Sequence, residues 1–438
     1  MKTMKLGSLF DGSGGFPLTA CLCGIIPVWA SEVEPYPIAV TRNRFPEMKH
    51  LGNVSTVNGA DIEPVDIITF GSPCQDMSMA GRRDGLDGKR SSLFYEAVRI
   101  IKEMRCATNG KYPRYIVWEN VPGAFSSNRG EDFKAVLEAV IGIVEPNTQV
   151  PMPEKARWPY ADLYMGDGWS LAYRTLDAQY WGVPQRRRRI YLVADFTGRG
   201  AGKILFEREG LQGYFTEGRT PWETVSRSFA PRTGVASNLC LNDQGGNRME
   251  CSEGVAPTLR AEAHGHQPCV LRSAGFCPEV SAKTRGIGWG VERSPTLRAG
   301  AVPAVNVQEN HSTVFAQSHK DPPTVTEGPQ YIVRRLTPTE CARLQGFPDE
   351  WGEVGMMSDF SDTDYQFWLG VRNTYATING KAIKDYTKPQ MLTWYNKLHT
   401  DGAEYKMWGN GIALPTALYV MQGIADYSKG KKEADYEA

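Results

Sequence analysis

The chain has no net charge, no long apolar run and no paired-cysteine motif, and each absence removes a class of function. Forty-nine basic and forty-nine acidic side chains cancel, so whole-chain charge gives no reason to expect a nucleic-acid partner; that case must come from local chemistry. No apolar stretch approaches the ~20 residues that a membrane span needs, and no membrane role is expected. The nine cysteines are odd in number and form no Cys-x-x-Cys pair, which suits neither a disulfide framework nor a structural zinc site. No metal is expected. The first residues carry no apolar signal core followed by a small-residue cleavage site, so a cytoplasmic location is expected.

What is present is the composition of a soluble globular protein, 41% hydrophobic and 22% charged. With 438 residues it exceeds the roughly 250–300 at which single cores stop growing, which predicts two lobes. The first 200 residues alternate short apolar runs with helix-like stretches, an α/β pattern. Strands are predicted at 6–10, 26–31, 67–70, 115–118 and 190–194, and helices at 35–43, 92–105 and 132–143. From about 206 to 331 the texture turns to Gly, Ser, Thr, Pro and Asn, which predicts a loop-rich, mostly β or irregular second lobe. The string at 257–261 recurs at 295–299, with a weaker echo at 323–325, too short to establish a repeat. Thr337, Pro338 and Glu340 form a capping-box signature, so a helix should begin near Pro338. Residues 356–400 show helical spacing around 365–371 and 391–398 without evident chemistry, and read as an insertion packing on the second lobe.

Four groups of residues carry chemistry, each beside an expected strand. Phe10, Asp11, Gly12, Ser13, Gly14, Gly15 and Phe16 follow the first strand, where a Gly-rich turn lets backbone approach a nucleotide-like cofactor. Such a turn alone is as readily a plain tight loop. Glu32 closes the second strand, where a carboxylate accepts from ribose hydroxyls, and Asp61 with Ile62 is placed to cover an adenine ring. Pro73, Cys74 and Gln75 follow the strand at 67–70 and put a thiol at the ligand-binding edge of the sheet. A lone cysteine is more often an inert small hydrophobe. Glu119, Asn120 and Val121 follow the strand at 115–118 at the same edge, and beside a thiol Glu119 is a candidate general acid. Gln185 opens a run of four arginines, 186–189, leading into a buried strand; alternation sends Arg187 and Arg189 to one face, to pair with Glu119 and to contact a phosphate or base oxygen.

In this order the groups resemble the cytosine-5 DNA methyltransferase family, of bacterial or phage type. The cofactor loop is similar to Phe10–Phe16, the ribose acid to Glu32, the adenine-flanking pair to Asp61 and Ile62, the Pro-Cys-Gln nucleophile to Pro73, Cys74 and Gln75, and the Glu-Asn-Val element to Glu119, Asn120 and Val121. Gln185, Arg187 and Arg189 match its Gln-x-Arg-x-Arg element, residues 334–348 its ninth motif, and Asn410 with Gly411 its tenth, where Gly411 replaces the usual Ser or Ala. The resemblance implies a Rossmann-like, S-adenosylmethionine-dependent α/β catalytic domain over 1–200 plus 401–438, whose C-terminal helix closes the cofactor pocket. A smaller, loop-rich target-recognition domain would span 201–400. It implies further cofactor contacts from Val33, Pro73 and Leu93. Base or backbone contacts are implied for Gln75, Gln185, Arg187, Arg343 and Gln345, and for a Thr-Leu pair, either Thr258 with Leu259 or Thr296 with Leu297.

The implied substrate is double-stranded DNA, the implied state a monomer, and a restriction endonuclease of the same specificity a candidate partner. In the implied reaction Cys74 adds to carbon 6 of a flipped cytosine, Glu119 shares a proton with nitrogen 3, and carbon 5 takes the methyl group. Burial would raise the pKa of Glu119 while Arg189 lowers it, and the sequence leaves that contest open. A transfer-RNA methyltransferase and a silent DNA-binding relative would share the motifs. A dehydrogenase reading of the Gly-rich turn leaves Cys74, Glu119 and the arginines unexplained.

Overall fold

A computed structural model describes residues 3–72, 93–206 and 332–430, and between the last two blocks five short strand segments at 239–243, 249–253, 269–272, 275–276 and 289–290. Pro73, Cys74, Gln75, Thr258, Leu259, Thr296, Leu297 and the repeated string lie outside the described residues.

Strands β1 (Lys5–Leu9), β2 (Ile26–Ser31), β3 (Lys49–His50), β4 (Ile67–Phe70), β5 (Tyr115–Asn120), β6 (Ala161–Met165), β7 (Ser170–Asp177) and β8 (Arg188–Asp195) form one sheet in the order β3-β2-β1-β4-β5-β8-β7-β6. The first five run parallel, and β8 is antiparallel to β5, with Glu119 opposite Tyr191 and Asn120 opposite Ile190. Two consequences position the site. The order reverses between β1 and β4, the crevice where open α/β sheets bind ligands. Because β8 is antiparallel, its first residues stand at the edge where β1, β2, β4 and β5 end.

Apolar residues on both strand faces build two cores, as expected for a sheet covered on both sides. Ile68, Phe70, Ile116 and Trp118 pack with helices α3 (Leu93–Ala107) and α4 (Glu131–Ile141). Leu6, Ile67, Tyr115 and Val117 face the other way, onto α1 (Gly15–Leu22), the short α5 (Ala201–Leu205) and the C-terminal helix α10 (Leu414–Ser428). Helix α2 (Pro35–Arg44) joins β2 to β3.

The predicted capping box is present: Thr337 Oγ1 accepts from Glu340 N, Glu340 Oε2 from Thr337 N, and α6 spans Pro338–Gln345. The packing of this region differs from expectation. Leu336, Leu344, Phe347 and Trp351 share a core with Tyr36 and Val40 of α2 and with Met407 and Trp408 of α9 (Asp401–Asn410). The segment 336–351, expected in the recognition lobe, is thus part of the sheet body. The same correction holds for 356–400. Its helices α7 (Asp362–Ile378) and α8 (Lys388–Tyr395) bury Trp368, Met391 and Tyr395 against Ile38 and Ala39 of α2, and Asp364 binds Arg42 at 2.6 Å. Amphipathic spacing gave the helices but carries no information about which surface they cover.

The described part of the middle region is β, as its composition suggested. Strands β9 (Leu239–Asp243), β10 (Met249–Glu253), β11 (Cys269–Arg272) and β14 (Ile332–Arg335) pair antiparallel in the order β10-β9-β11-β14, and β12 (Gly275–Phe276) pairs β13 (Trp289–Gly290).

Candidate active site

The turn after β1 is organised by two acids. Asp11 N donates to Ser31 O at 3.1 Å, tying the turn to the end of β2, and Ser8 Oγ donates to Asp11 Oδ1 at 2.6 Å. Glu32 Oε2 accepts from Gly12 N at 2.8 Å, and Oε1 from Val33 N and Glu34 N at 2.7 and 2.9 Å. Burial pushes the Asp11 carboxyl up to about 7, with the Ser8 bond opposing and the Glu32 charge adding. Burial also raises Glu32, although the three amides partly offset it.

The glycines divide by role. Gly12, at φ 56°, has Phe10 O at 3.9 Å from where a Cβ would sit, ordinary contact that leaves room for a ligand to approach. A side chain on Gly14 would strike Thr41, and one on Gly15 would strike Ile412, so those two serve packing. Phe16 is 5% exposed and belongs to the core under the turn, a correction to its expected place in the cofactor pocket. Phe10, at φ 55°, and Leu93, at the start of α3, pack partly against the opposite core. Asp61 lies in an exposed turn and accepts from Asn58 Nδ2 at 2.7 Å, while Ile62 packs on the core. Among the described residues no hydrogen bond joins either to the turn at 10–15.

At the end of β5 three consecutive side chains gather the strand leading to Cys74. Trp118 Nε1 donates to Ser72 Oγ at 3.3 Å and Asn120 Nδ2 to Ser72 O at 3.1 Å. Between them, Glu119 Oε2 lies so close to Gly71 that a Cβ there would sit 3.3 Å away. Asn120 Oδ1 also accepts from Val121 N at 2.8 Å, so this side chain orders its own loop and the neighbouring one. Arg189 Nε stands 3.1 Å from Glu119 Oε1, both side chains nearly buried. Burial raises the Glu119 carboxyl; Arg189 and then Arg187 draw it back, and the net direction is upward. That decides the contest the sequence left open.

The arginine run alternates as expected, but only Arg189 meets Glu119. Arg187 is 2% exposed and donates to Gly409 O at 3.5 and 3.4 Å and to Gly411 O, with burial lowering its pKa to about 9. It fastens the 409–411 turn to β8 and is not available to a phosphate. Gln185, fully buried, is likewise no DNA contact. Gln345, also fully buried, donates from Nε2 to Trp408 O at 2.9 Å, and Arg343 grips Asp349 at 2.7 and 2.6 Å. These expected base and backbone contacts instead belong to the frame. Asn410 is exposed at the end of α9, and Gly411 is set against Ser13 of the cofactor turn. Sequence reasoning named Ser13 only as part of the turn and passed over Ser72 and Trp351, whose Nε1 donates to Ser13 O at 2.8 Å. Ser72 directly precedes a marked motif; nothing local marked Trp351.

A family model described as C-5 cytosine-specific DNA methylase matches residues 4–143 and 165–365. The chain belongs to that family. Its sheet is the Rossmann-like fold of S-adenosylmethionine-dependent methyltransferases, and S-adenosylmethionine is the family's methyl donor. The residues present suit that cation: Asp11 Oδ2 and Ser13 Oγ are buried polar atoms without a hydrogen-bond partner among the described residues, and no ion pair there occupies Asp11 or Glu32.

Among the relatives, type II methyltransferase M.HhaI of Haemophilus parahaemolyticus is 30% identical over 80% of this chain and 85% of its own. Type II methyltransferase M2.BsuMI of Bacillus subtilis (strain 168) is 26% identical over 96% and 75%. A protein of Escherichia phage P1 named DNA N-6-adenine-methyltransferase is 29% identical over 97% of this chain, which spans 61% of that protein's length. The solved S. pombe Dnmt2 methyltransferase is similar at a TM-score of 0.47 and 15% identity, over 97% of this chain and 99% of that one. No helix among the described residues is long and apolar enough to cross a membrane.

Proposed function

We propose that the chain methylates carbon 5 of a cytosine flipped out of a specific duplex DNA sequence, with Cys74 as nucleophile. The observation carrying this reading is the seat of Glu119: a buried carboxyl with raised pKa, against Gly71 and Ser72, whose chain reaches Cys74 two residues later. Carbon 5 of cytosine is too weak a nucleophile to take a methyl group until the ring's aromaticity is broken. The Cys74 thiolate adds to carbon 6, and Glu119 hands its proton to nitrogen 3, so the negative charge of the thiolate does not build up on the ring. Arg189 holds Glu119 in line through the 3.1 Å contact. Asn120 keeps the Ser72 carbonyl fixed against β5. Bound S-adenosylmethionine would supply an electrophilic methyl group to carbon 5; nitrogen 3 then returns its proton to Glu119, and transfer of the carbon 5 proton to a solvent base expels the thiolate.

The turn at 10–15, Glu32 and the 409–411 segment form the donor site in this reading. The packing of the described residues supports one body over 3–72, 93–206 and 336–430, with the recognition domain encoded between 206 and 336. The enzyme acts as a cytoplasmic monomer on double-stranded DNA, alone or beside a restriction endonuclease of the same specificity.

The test is incubation with methyl-labelled S-adenosylmethionine and mixed-sequence duplex DNA, beside Cys74→Ala, followed by base analysis and bisulfite sequencing. Label on cytosine within one short sequence, absent in the variant, is the expected result. Label on adenine N6 would assign to this chain the activity in the phage P1 relative's name. Label only on transfer RNA, or none with DNA binding intact, would leave the RNA enzyme or the silent binder.

A further inference from the structure

The family match stops at 143 and resumes at 165, so residues 144–164 stand outside the family's shared pattern. They add β6 to the edge of the sheet, and strand pairing puts Glu119, Tyr191, Arg174 and Ala161 in one row across it. The chain ahead of Ala161 therefore stands at the edge that carries Glu119, and Tyr160 O accepts from Thr175 N at 2.7 Å, one step beyond that row. Strands lie ~4.8 Å apart, so three spacings from β5 to β6 put the start of β6 about 14 Å from Glu119.

This segment is fastened to the loop that follows β5. Trp158, 7% exposed, donates from Nε1 to Gly130 O at 2.9 Å and meets the ring of Phe133 in α4 at 5.2 Å between centroids. Gly130, at φ 88°, has no room for a side chain, since a Cβ would come 2.9 Å from Trp158 Nε1. On the other side of the loop, buried Asp132 accepts from Ser127 Oγ and Asn128 Nδ2. Of the seven non-glycine residues with left-handed backbone among those described, four are here: Asn128, Arg129, Lys155 and Ala156, with φ between 46° and 57°. Such backbone persists only where its surroundings over-determine it, and here Trp158 and Asp132 do so.

The side chains these loops expose are largely cationic. Arg129, Lys155 and Arg157 make no ion pair among the described residues, although exposed Glu131 and Glu154 share their loops. Arg186 and Arg188, just before and at the start of β8, continue the charge toward Glu119, and Tyr160 is 67% exposed. Spaced cations beside a phenol hydroxyl suit the phosphates of a nucleic-acid backbone. An acidic protein would answer the charge alone; a position in register with Glu119 favours the DNA that has to lie along this edge.

Resting on the DNA reading above, we propose that residues 126–130 and 151–160 form a track for the phosphate backbone of the duplex to one side of the flipped cytosine. At 3.4 Å per base pair, 14 Å corresponds to about four base pairs.

The test combines Arg129→Asn, Lys155→Asn and Arg157→Ser, because asparagine tolerates left-handed backbone and leaves the loops their form. Fluorescence anisotropy with a mixed-sequence duplex of about 30 base pairs should show the slope of log affinity against log salt flattened by about two to three units, at an unchanged thermal midpoint. Should the midpoint fall, Arg157→Ser alone, in extended backbone at φ −113°, should still flatten the slope by about one unit. Methylation kinetics then use duplexes carrying the modified sequence, with each flank shortened in turn. On long flanks the triple variant should show KM for DNA raised about tenfold at wild-type kcat. Cutting one flank, and only one, to about three base pairs should bring the wild type down to the variant, which loses nothing further. A wild-type slope in the variants, or a loss that no shortening of either flank reproduces, overturns the track and leaves the methyltransferase reading standing. A wild type that binds no duplex overturns both.

Discussion

The two halves of the ligand-binding edge both carry buried acids, but they balance them differently. At β1 and β2, Asp11 and Glu32 are met by a serine hydroxyl and backbone amides, with no ion pair among the described residues; Lys406 binds the neighbouring Glu34 instead. At β5 and β8, Glu119 has a guanidinium 3.1 Å away. The first arrangement leaves negative charge uncompensated until a cation arrives, which suits a sulfonium donor. The second raises one carboxyl by burial while the Arg189 and Arg187 charges oppose the shift, an arrangement in keeping with the acid role proposed for Glu119. In the proposed function, each half is matched to the charge of its ligand.

The sharpest way to break this comparison is to remove one proton without changing shape. Glu119→Gln keeps the size of the side chain but has no acidic proton, and should lower kcat by ~10²–10⁴-fold. S-adenosylhomocysteine affinity should stay within about twofold, since the other half is untouched. Single-turnover kinetics beside calorimetry check both, and an equal loss in the two would mean that the halves are not separate.

Arg187 links the halves, so the next effect is on stability. Arg187→Met removes three donated bonds and leaves the carbonyls of Gly409 and Gly411 unpaired. Urea unfolding should show a loss of about 2–4 kcal/mol. Donor binding should weaken with it, because Gly411 stands against Ser13. A variant with wild-type stability would mean that the 409–411 turn is held by its helices alone.

Asp11 gives the cofactor half a pH signature. Its native pKa, pushed up to about 7, lies above the roughly 3.9 of an unfolded aspartate, so between these values the native state holds the extra proton. Its contribution to ligand-free stability is full below the lower value, falls as pH rises through the interval, and is flat beyond it. A bound cation favours the carboxylate, so donor affinity should rise about tenfold between pH 5.5 and 8. The groups facing Asp11 are Ser8 and Glu32, and Asp11→Asn leaves both in place. Calorimetry at the two pH values should find that variant weaker and much flatter, and an unchanged slope would assign the titration to Glu32.

How much of this was legible depends on the range over which each feature is decided. The capping box at Thr337 and Glu340 involves four consecutive positions and was readable outright. Glu32 and Glu119 were readable because strands end where apolar runs end, and a parallel sheet collects those ends at one edge. Alternation put Arg187 and Arg189 on one face. It said nothing of Arg187's partners, which lie 222 and 224 residues away. The same blindness misplaced 356–400: periodicity tells that Trp368 and Met391 are buried, while the α2 surface covering them is a tertiary fact.

The smallest expected effect separates the two faces of the arginine run. Arg187 and Arg189 are turned inward, whereas Arg186 and Arg188 are exposed at the edge where Glu119 lies, Arg188 making only a 3.4 Å contact with Asp177. In the proposed function, phosphate contact is reassigned from the buried Arg187 to the outward-facing Arg186 and Arg188 as a prediction to be tested. Each phosphate neutralised contributes about one unit to the slope of log affinity against log salt. Arg186→Ser and Arg188→Ser should each flatten that slope by about one unit, weaken all duplexes alike and leave the methylated sequence unchanged. Arg343→Ala should leave the slope as it is, since that guanidinium is occupied by Asp349. Filter binding across a salt series distinguishes the three, and a slope that responds to Arg343 but not to Arg186 or Arg188 would move the DNA track from β8 to α6.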